Sequence, residues 1–242
     1  IYHNWSILQV DTFNRNCIYT LRTSKEELFE KYKLLKRFLE ISKRVNLVIT
    51  NIETFTNDDF KKYAEVLEYL SEVLKVYYVE GKTPQLNILT DRMMLESMNS
   101  CNAGVENITL APDGNYYVCP AFYFLGKCDG SEKSLADICK KGYNVGSLEA
   151  GLDIKNQQLY RLDHAPICRN CDAYQCKRCI WLNRKTTLEV NTPSHEQCVV
   201  AHLERNASQR LLEEIRKART FLPEKKISTI DYLDPFEKRN KW

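Results

Sequence analysis

Four cysteines crowd into residues 168–179. Cys168, Cys171, Cys176 and Cys179 form the pattern C-x2-C-x4-C-x2-C, and Cys198 follows. A thiolate is a soft ligand, and two of them two residues apart can wrap a tight turn around one metal or cluster. Arg169, Lys177, Arg178 and Arg184 stand beside the run, cations able to offset the negative charge of a thiolate nest. Disulfides are the competing use of the same residues. Disulfide scaffolds are usually small secreted domains that lack a core, whereas 242 residues that are 43% hydrophobic can bury one. All the cysteines except Cys17 lie between 101 and 198, so the density is local. Such a cluster reads as metal ligation in the reducing cytosol.

Charge narrows the partners. Lys and Arg together number 35 against 32 Asp and Glu, a net +3 that gives no electrostatic footprint for nucleic acid. No window of 18 apolar residues exists, so no membrane span is expected. The start, Ile1-Tyr2-His3-Asn4-Trp5, has no initiator Met and no basic or apolar leader segment, and it reads as the middle of a longer chain.

Up to residue 98 the pattern is strand, helix, strand. Residues 6–11 and 18–21 are short strand candidates. Ser24 with Glu27 makes a capping box ahead of an apolar stripe at Leu28, Tyr32, Leu35 and Leu39. Residues 45–49 form a buried strand. Thr56 or Asn57 caps a second helix with Phe60, Tyr63, Ala64, Leu67, Leu70 and Leu74 inward, and residues 76–79 and 86–89 read as further strands. This βαβ order calls for a parallel sheet covered by helices. Cys17 stands alone and reads as a small buried hydrophobe.

Beyond Met98 the character changes. Residues 105–111 and 116–118 are strands joined by Pro112-Asp113-Gly114-Asn115, where Pro fixes φ and Gly tolerates the positive φ that follows. The hairpin holds Cys101 and Cys119 at its two mouths. Residues 121–160 are mixed, broken by Gly126, Gly130, Gly142, Gly146 and Gly151, and contain Cys128 and Cys139. Ser194 and Gln197 form another capping box, and the helix they open carries Cys198, then Val199, Leu203, Leu211, Leu212 and Ile215 inward, with a break expected near Asn206. Residues from 223 on form a charged, loosely held tail.

Seven cysteines now stand in order: Cys101, then Cys119 within Gly114-x4-Cys119, then the run Cys168, Cys171, Cys176, Cys179, then Cys198. This order resembles the SPASM domain, the C-terminal auxiliary-cluster module of radical S-adenosylmethionine enzymes that modify peptides. Asn144-Val145-Gly146-Ser147-Leu148 is similar to that family's turn between its two halves. The wording Cys179-Ile180-Trp181-Leu182-Asn183 and Pro193-Ser194-x-x-Gln197-Cys198 leans toward maturases of CXXX-repeat peptides. Two departures stand out. The central run is one residue shorter in each of two gaps than the family's C-x2-C-x5-C-x3-C and lacks the Gly-Gly before its last cysteine. The C-x3-C-x2-C motif that holds the radical-generating cluster is absent from the sequence.

The resemblance implies an α/β architecture in which residues 1–98 are the C-terminal remnant of a partial parallel (β/α) barrel. Residues 99–220 would be a SPASM-like module of hairpin, loops and helices, and 221–242 a polar tail. It implies two auxiliary [4Fe–4S] clusters, the first on Cys101, Cys119 and Cys179, the second on Cys168, Cys171, Cys176 and Cys198. The fourth position of the first cluster would fall to Cys128, Cys139, solvent or substrate. S-adenosylmethionine and a third cluster would belong to a part not contained in these residues. The implied setting is cytoplasmic, away from nucleic acid and membrane, with a precursor peptide as substrate and a ferredoxin or flavodoxin as reductant. The auxiliary clusters would carry electrons or anchor the peptide. Two other uses of the same residues stay open, a non-catalytic peptide-binding module with structural clusters and a four-thiolate zinc domain. His202, four residues from Cys198, could complete half of a zinc site, and His164 or His195 could hydrogen-bond a cluster sulfur.

Overall fold

The computed structural model describes Trp5, residues 16–125 and residues 144–226. The strand expected at 6–11, Cys128, Cys139 and most of the expected tail lie outside the described residues. The fold is mixed α/β, and among the described residues no helix is long and apolar enough to cross a membrane. By their contacts the residues divide into two compact units. One takes the chain up to Asn99, then Cys171–Cys176, then the residues from His195 onward; the other takes Ser100–Asn170 and Lys177–Ser194.

In the first unit β1 (Ile18–Thr23), β2 (Arg44–Ile49) and β3 (Gln85–Leu86) form a parallel sheet in chain order, with Ile18 opposite Arg44 and Val45 opposite Leu86. Parallel strands need crossovers, and helices supply them. The first is α1 (Lys25–Lys31) and α2 (Leu35–Ile41), separated by one tighter turn, with the Ser24 hydroxyl accepting from the Glu27 amide at 3.3 Å. The second is α3 (Asn57–Val79), opened by Thr56 and Asp59, whose side chains each accept from the other's backbone amide. Thr56→Ala is expected to cost about 1 kcal/mol in denaturant melts, and Thr56→Ser much less.

The strand expected at 76–79 is the last turn of α3. Tyr77 and Tyr78 continue the buried stripe of Leu70 and Leu74, and no breaker precedes Gly81, where φ reaches +84°. The strand expected at 86–89 is also shorter: β3 stops at Leu86 and α4 (Asn87–Met94) begins. The Asn87 side chain accepts from the Leu47 amide at 2.7 Å and donates to the Leu47 carbonyl at 3.0 Å, so a side-chain amide takes the place of further strand pairing. The expected break near Asn206 is absent, for α7 (His195–Ala218) runs through it. The Asn206 amide oxygen is taken up by Arg205 at 2.9–3.0 Å and does not compete for helix backbone. Val199, Val200, Leu203, Ala207, Leu211, Leu212 and Ile215 of α7 join α3 in one core. The expected 99–220 module is therefore divided, with this helix counted in the first unit.

The second unit is built on an antiparallel sheet, β4 (Thr109–Leu110), β5 (Asn115–Tyr117), β6 (Asn144–Ser147) and β7 (Gly151–Leu152), in that order. The hairpin expected around Gly114 is present, with φ +77° at Gly114 and Thr109 paired to Tyr117. Its first strand is shorter than expected, because residues 102–107 fold into a turn closed by Gly104 donating to the Asn107 carbonyl at 2.8 Å. α5 (Pro120–Leu125) and α6 (Ile180–Thr187) follow Cys119 and Cys179 directly. Val118, Phe122, Val145, Tyr160 and Ile180 form this unit's own core.

Candidate metal centre

Cys101, Cys119 and Cys179 all belong to the second unit. The hairpin delivers Cys119 at its end, one residue before α5, and Cys179 is the residue that caps α6. Cys101 is held at the hairpin's other mouth, its carbonyl accepting from the Asn107 side chain at 2.9 Å. Burial pushes the Cys119 thiol up, and the neighbouring Cys179 and Cys101 push it further, while the Ala121 amide pulls it back. Burial likewise raises Cys179, with Cys101 adding to it, and the Leu182 and Trp181 amides oppose the rise without closing a capping hydrogen bond. The three thiols are therefore electrostatic neighbours. Positive charge beside Cys119 and Cys179, such as a metal would supply, favours their thiolate forms.

Of the expected compensating cations, Lys177 and Arg169 are exposed. Arg178 is 1% exposed, adopts φ +43° next to Cys179 and donates to the Tyr160 carbonyl.

The second expected ligand set is divided between the units: Cys168 belongs to the second, and Cys171, Cys176 and Cys198 to the first. Cys198 is buried in α7, and four residues on, His202 puts Nε2 3.9 Å from the Cys171 sulfur. His164 is exposed, while His195 packs against the edge of Phe60. Cys17 is exposed, against the expectation of a buried residue, because it lies just before β1 begins. None of the eight described cysteines forms a disulfide. Among the described residues no three His, Cys, Asp or Glu side chains converge on a single metal ion. Ligands of a polynuclear cluster bind separate irons and need not converge in that way.

The sequence gives no sign of what grips the loop Cys171–Cys176. Asp172 lies between Arg92 and Arg205, and Gln175 reaches Glu204, which also accepts from Tyr63 at 2.7 Å. Arg92 and Tyr63 are each more than 70 positions away in the chain, and only the polar residues inside a cysteine loop hinted at partners. No protein-family model and no curated protein matches the chain.

Proposed function

We propose that this chain binds auxiliary iron–sulfur clusters and serves as the C-terminal part of a radical S-adenosylmethionine enzyme that modifies a ribosomally made peptide. The grouping of Cys101, Cys119 and Cys179 in one unit, each thiol within electrostatic reach of another, carries this reading. Three soft donors at the ends of a hairpin and before a helix suit one corner each of a [4Fe–4S] cluster. Cys168, Cys171, Cys176 and Cys198 make the second ligand set by the resemblance of the sequence. The parallel β1-β2-β3 series with its crossover helices is consistent with the last strands of a partial barrel. The clusters, when bound, would supply electron transfer or an anchoring site. The chain's own cysteines would hold them. A precursor peptide and a ferredoxin- or flavodoxin-type reductant are the partners this role requires.

The test is the iron, sulfide and zinc content of anaerobically purified protein, together with its absorbance spectrum. About eight irons with matching sulfide and a broad visible band are expected for two clusters. Cys119→Ala and Cys198→Ala are each expected to lose about half of the iron, and Cys17→Ala none. Zinc in place of iron, or iron equal in all three variants, overturns the reading.

A further inference from the structure

The loop Cys171–Cys176 carries two cysteines on four intervening residues and is counted with the α/β unit, not with the sequence on either side of it. Its grip on that unit is polar and buried. One Asp172 carboxylate oxygen accepts from Arg205 Nη1 at 3.0 Å. The other accepts from Arg92 Nη2 at 3.2 Å and from Gln209 Nε2 at 3.4 Å. The Asp172 carbonyl accepts from Arg92 Nε at 2.6 Å, so one guanidinium of α4 holds backbone and side chain together. The same guanidinium lies 4.4 Å above the Tyr174 ring, and the Tyr174 carbonyl accepts from the Asn99 amide at 3.0 Å. At the loop's far end Gln175 Nε2 donates to the Ala201 carbonyl of α7 at 2.8 Å.

Arg92, Asp172 and Arg205 are 3%, 6% and 3% exposed. A buried ionic triad is a poor way to gain stability, since apolar residues of the same volume often hold a fold as well or better. What an ion triad does supply is orientation, because a planar fork accepts a carboxylate in few geometries. The device sits beside a cysteine whose own sulfur accepts from the Ala173 amide at 3.4 Å, and the Cys176 amide closes the loop on the Ala173 carbonyl at 2.9 Å.

We infer that Asp172 is the positioning residue of this loop: gripped by Arg92 and Arg205, it holds Cys171 and Cys176 in the arrangement in which they join Cys198 as ligands. The inference rests on the cluster reading proposed above for its ligand role, and on the geometry alone for its holding role.

Asp172→Asn removes the charge and keeps the shape. Native alkylation of metal-free protein by iodoacetamide, mapped by peptide mass, reads each cysteine separately. Cys171 and Cys176 are expected to react about tenfold faster in Asp172→Asn, with Cys101 and Cys119 at the wild-type rate. Anaerobically purified Asp172→Asn is expected to hold about half the wild-type iron. Lys25→Met breaks the 2.8 Å Lys25–Asp59 pair elsewhere in the same unit and controls for general loosening. It is expected to leave both readouts at wild type. Where Asp172→Asn does not fold, Asp172→Asn with Arg205→Gln replaces one ion pair by amides and is expected to give the same labelling contrast. Unchanged Cys171 and Cys176 rates, or a rise shared by all cysteines or by Lys25→Met, overturn the positioning role. Wild-type protein without iron overturns the cluster reading, while the labelling contrast still decides the grip.

Discussion

Replacing Gly146 with alanine is expected to unfold the second unit's sheet while Gly114→Ala leaves it standing. Gly146 sits inside β6 at φ +121°, opposite Leu152, and a Cβ there would lie 2.0 Å from the Gly151 carbonyl oxygen. That neighbour is backbone in the adjacent strand, so relief requires β6 and β7 to part. The left-handed backbone adds its own strain for any residue with a side chain. Together these effects are expected to exceed about 3 kcal/mol. Gly114 has a similarly positive φ of +77° but open space around the missing Cβ, so its substitution carries only the conformational cost, about 1 kcal/mol. Denaturant melts of the two variants check this. A Gly146→Ala protein as stable as Gly114→Ala would show that β6 and β7 do not pack as described. Because Cys119 lies two residues beyond β5, which pairs with β6, the same variant is expected to lose the iron assigned to Cys101, Cys119 and Cys179.

The stability of the first unit is expected to fall as pH rises from about 4.5 through about 7, and Glu204→Gln to abolish that component. Burial pushes the Glu204 carboxyl up from 4.5 to about 7, against the hydrogen bonds from Tyr63 and Gln175, which favour the carboxylate. Between these values the folded chain holds a proton that the unfolded chain has released. Stability from this group is thus fully present below about 4.5 and lost as pH passes through about 7. A shift of that size corresponds to roughly 3 kcal/mol. Glutamine mimics the protonated acid at every pH. The stability advantage of Glu204→Gln over wild type is therefore expected to grow from near zero at about pH 4 to roughly 3 kcal/mol at about pH 8. Parallel stability–pH curves would sink the assignment. The Tyr63 hydroxyl is held well above its ordinary range by burial and by this same carboxyl, so it stays a hydrogen-bond donor throughout.

Local chemistry carried much of the fold in the sequence alone. Ser24 and Thr56 announce their helices because a hydroxyl satisfies a free amide wherever a helix starts. Gly114 announces the hairpin because few other residues take its φ, and the spacing of Leu67, Leu70 and Leu74 announces the buried face of α3. The resemblance of the cysteine order implies Cys101, Cys119 and Cys179 as one ligand group, and all three fall in the second unit, where burial raises the Cys119 and Cys179 thiols.

Long-range competition decided the rest. Residues 76–79 are β-branched and aromatic and suit a strand locally, but Tyr77 and Tyr78 gain more by extending the buried face of α3. Residues 86–89 lose their strand because the Asn87 side chain satisfies Leu47, a partner 40 positions earlier. The division of residues 168–198 between two units, and the Arg92–Asp172–Arg205 grip, follow from contacts between residues as far as 80 positions apart. A capping hydroxyl or a positive φ is settled within a few residues and is written in the sequence. Which buried cation meets which carboxylate is settled only when the chain has closed on itself, and the tertiary structure alone decides it.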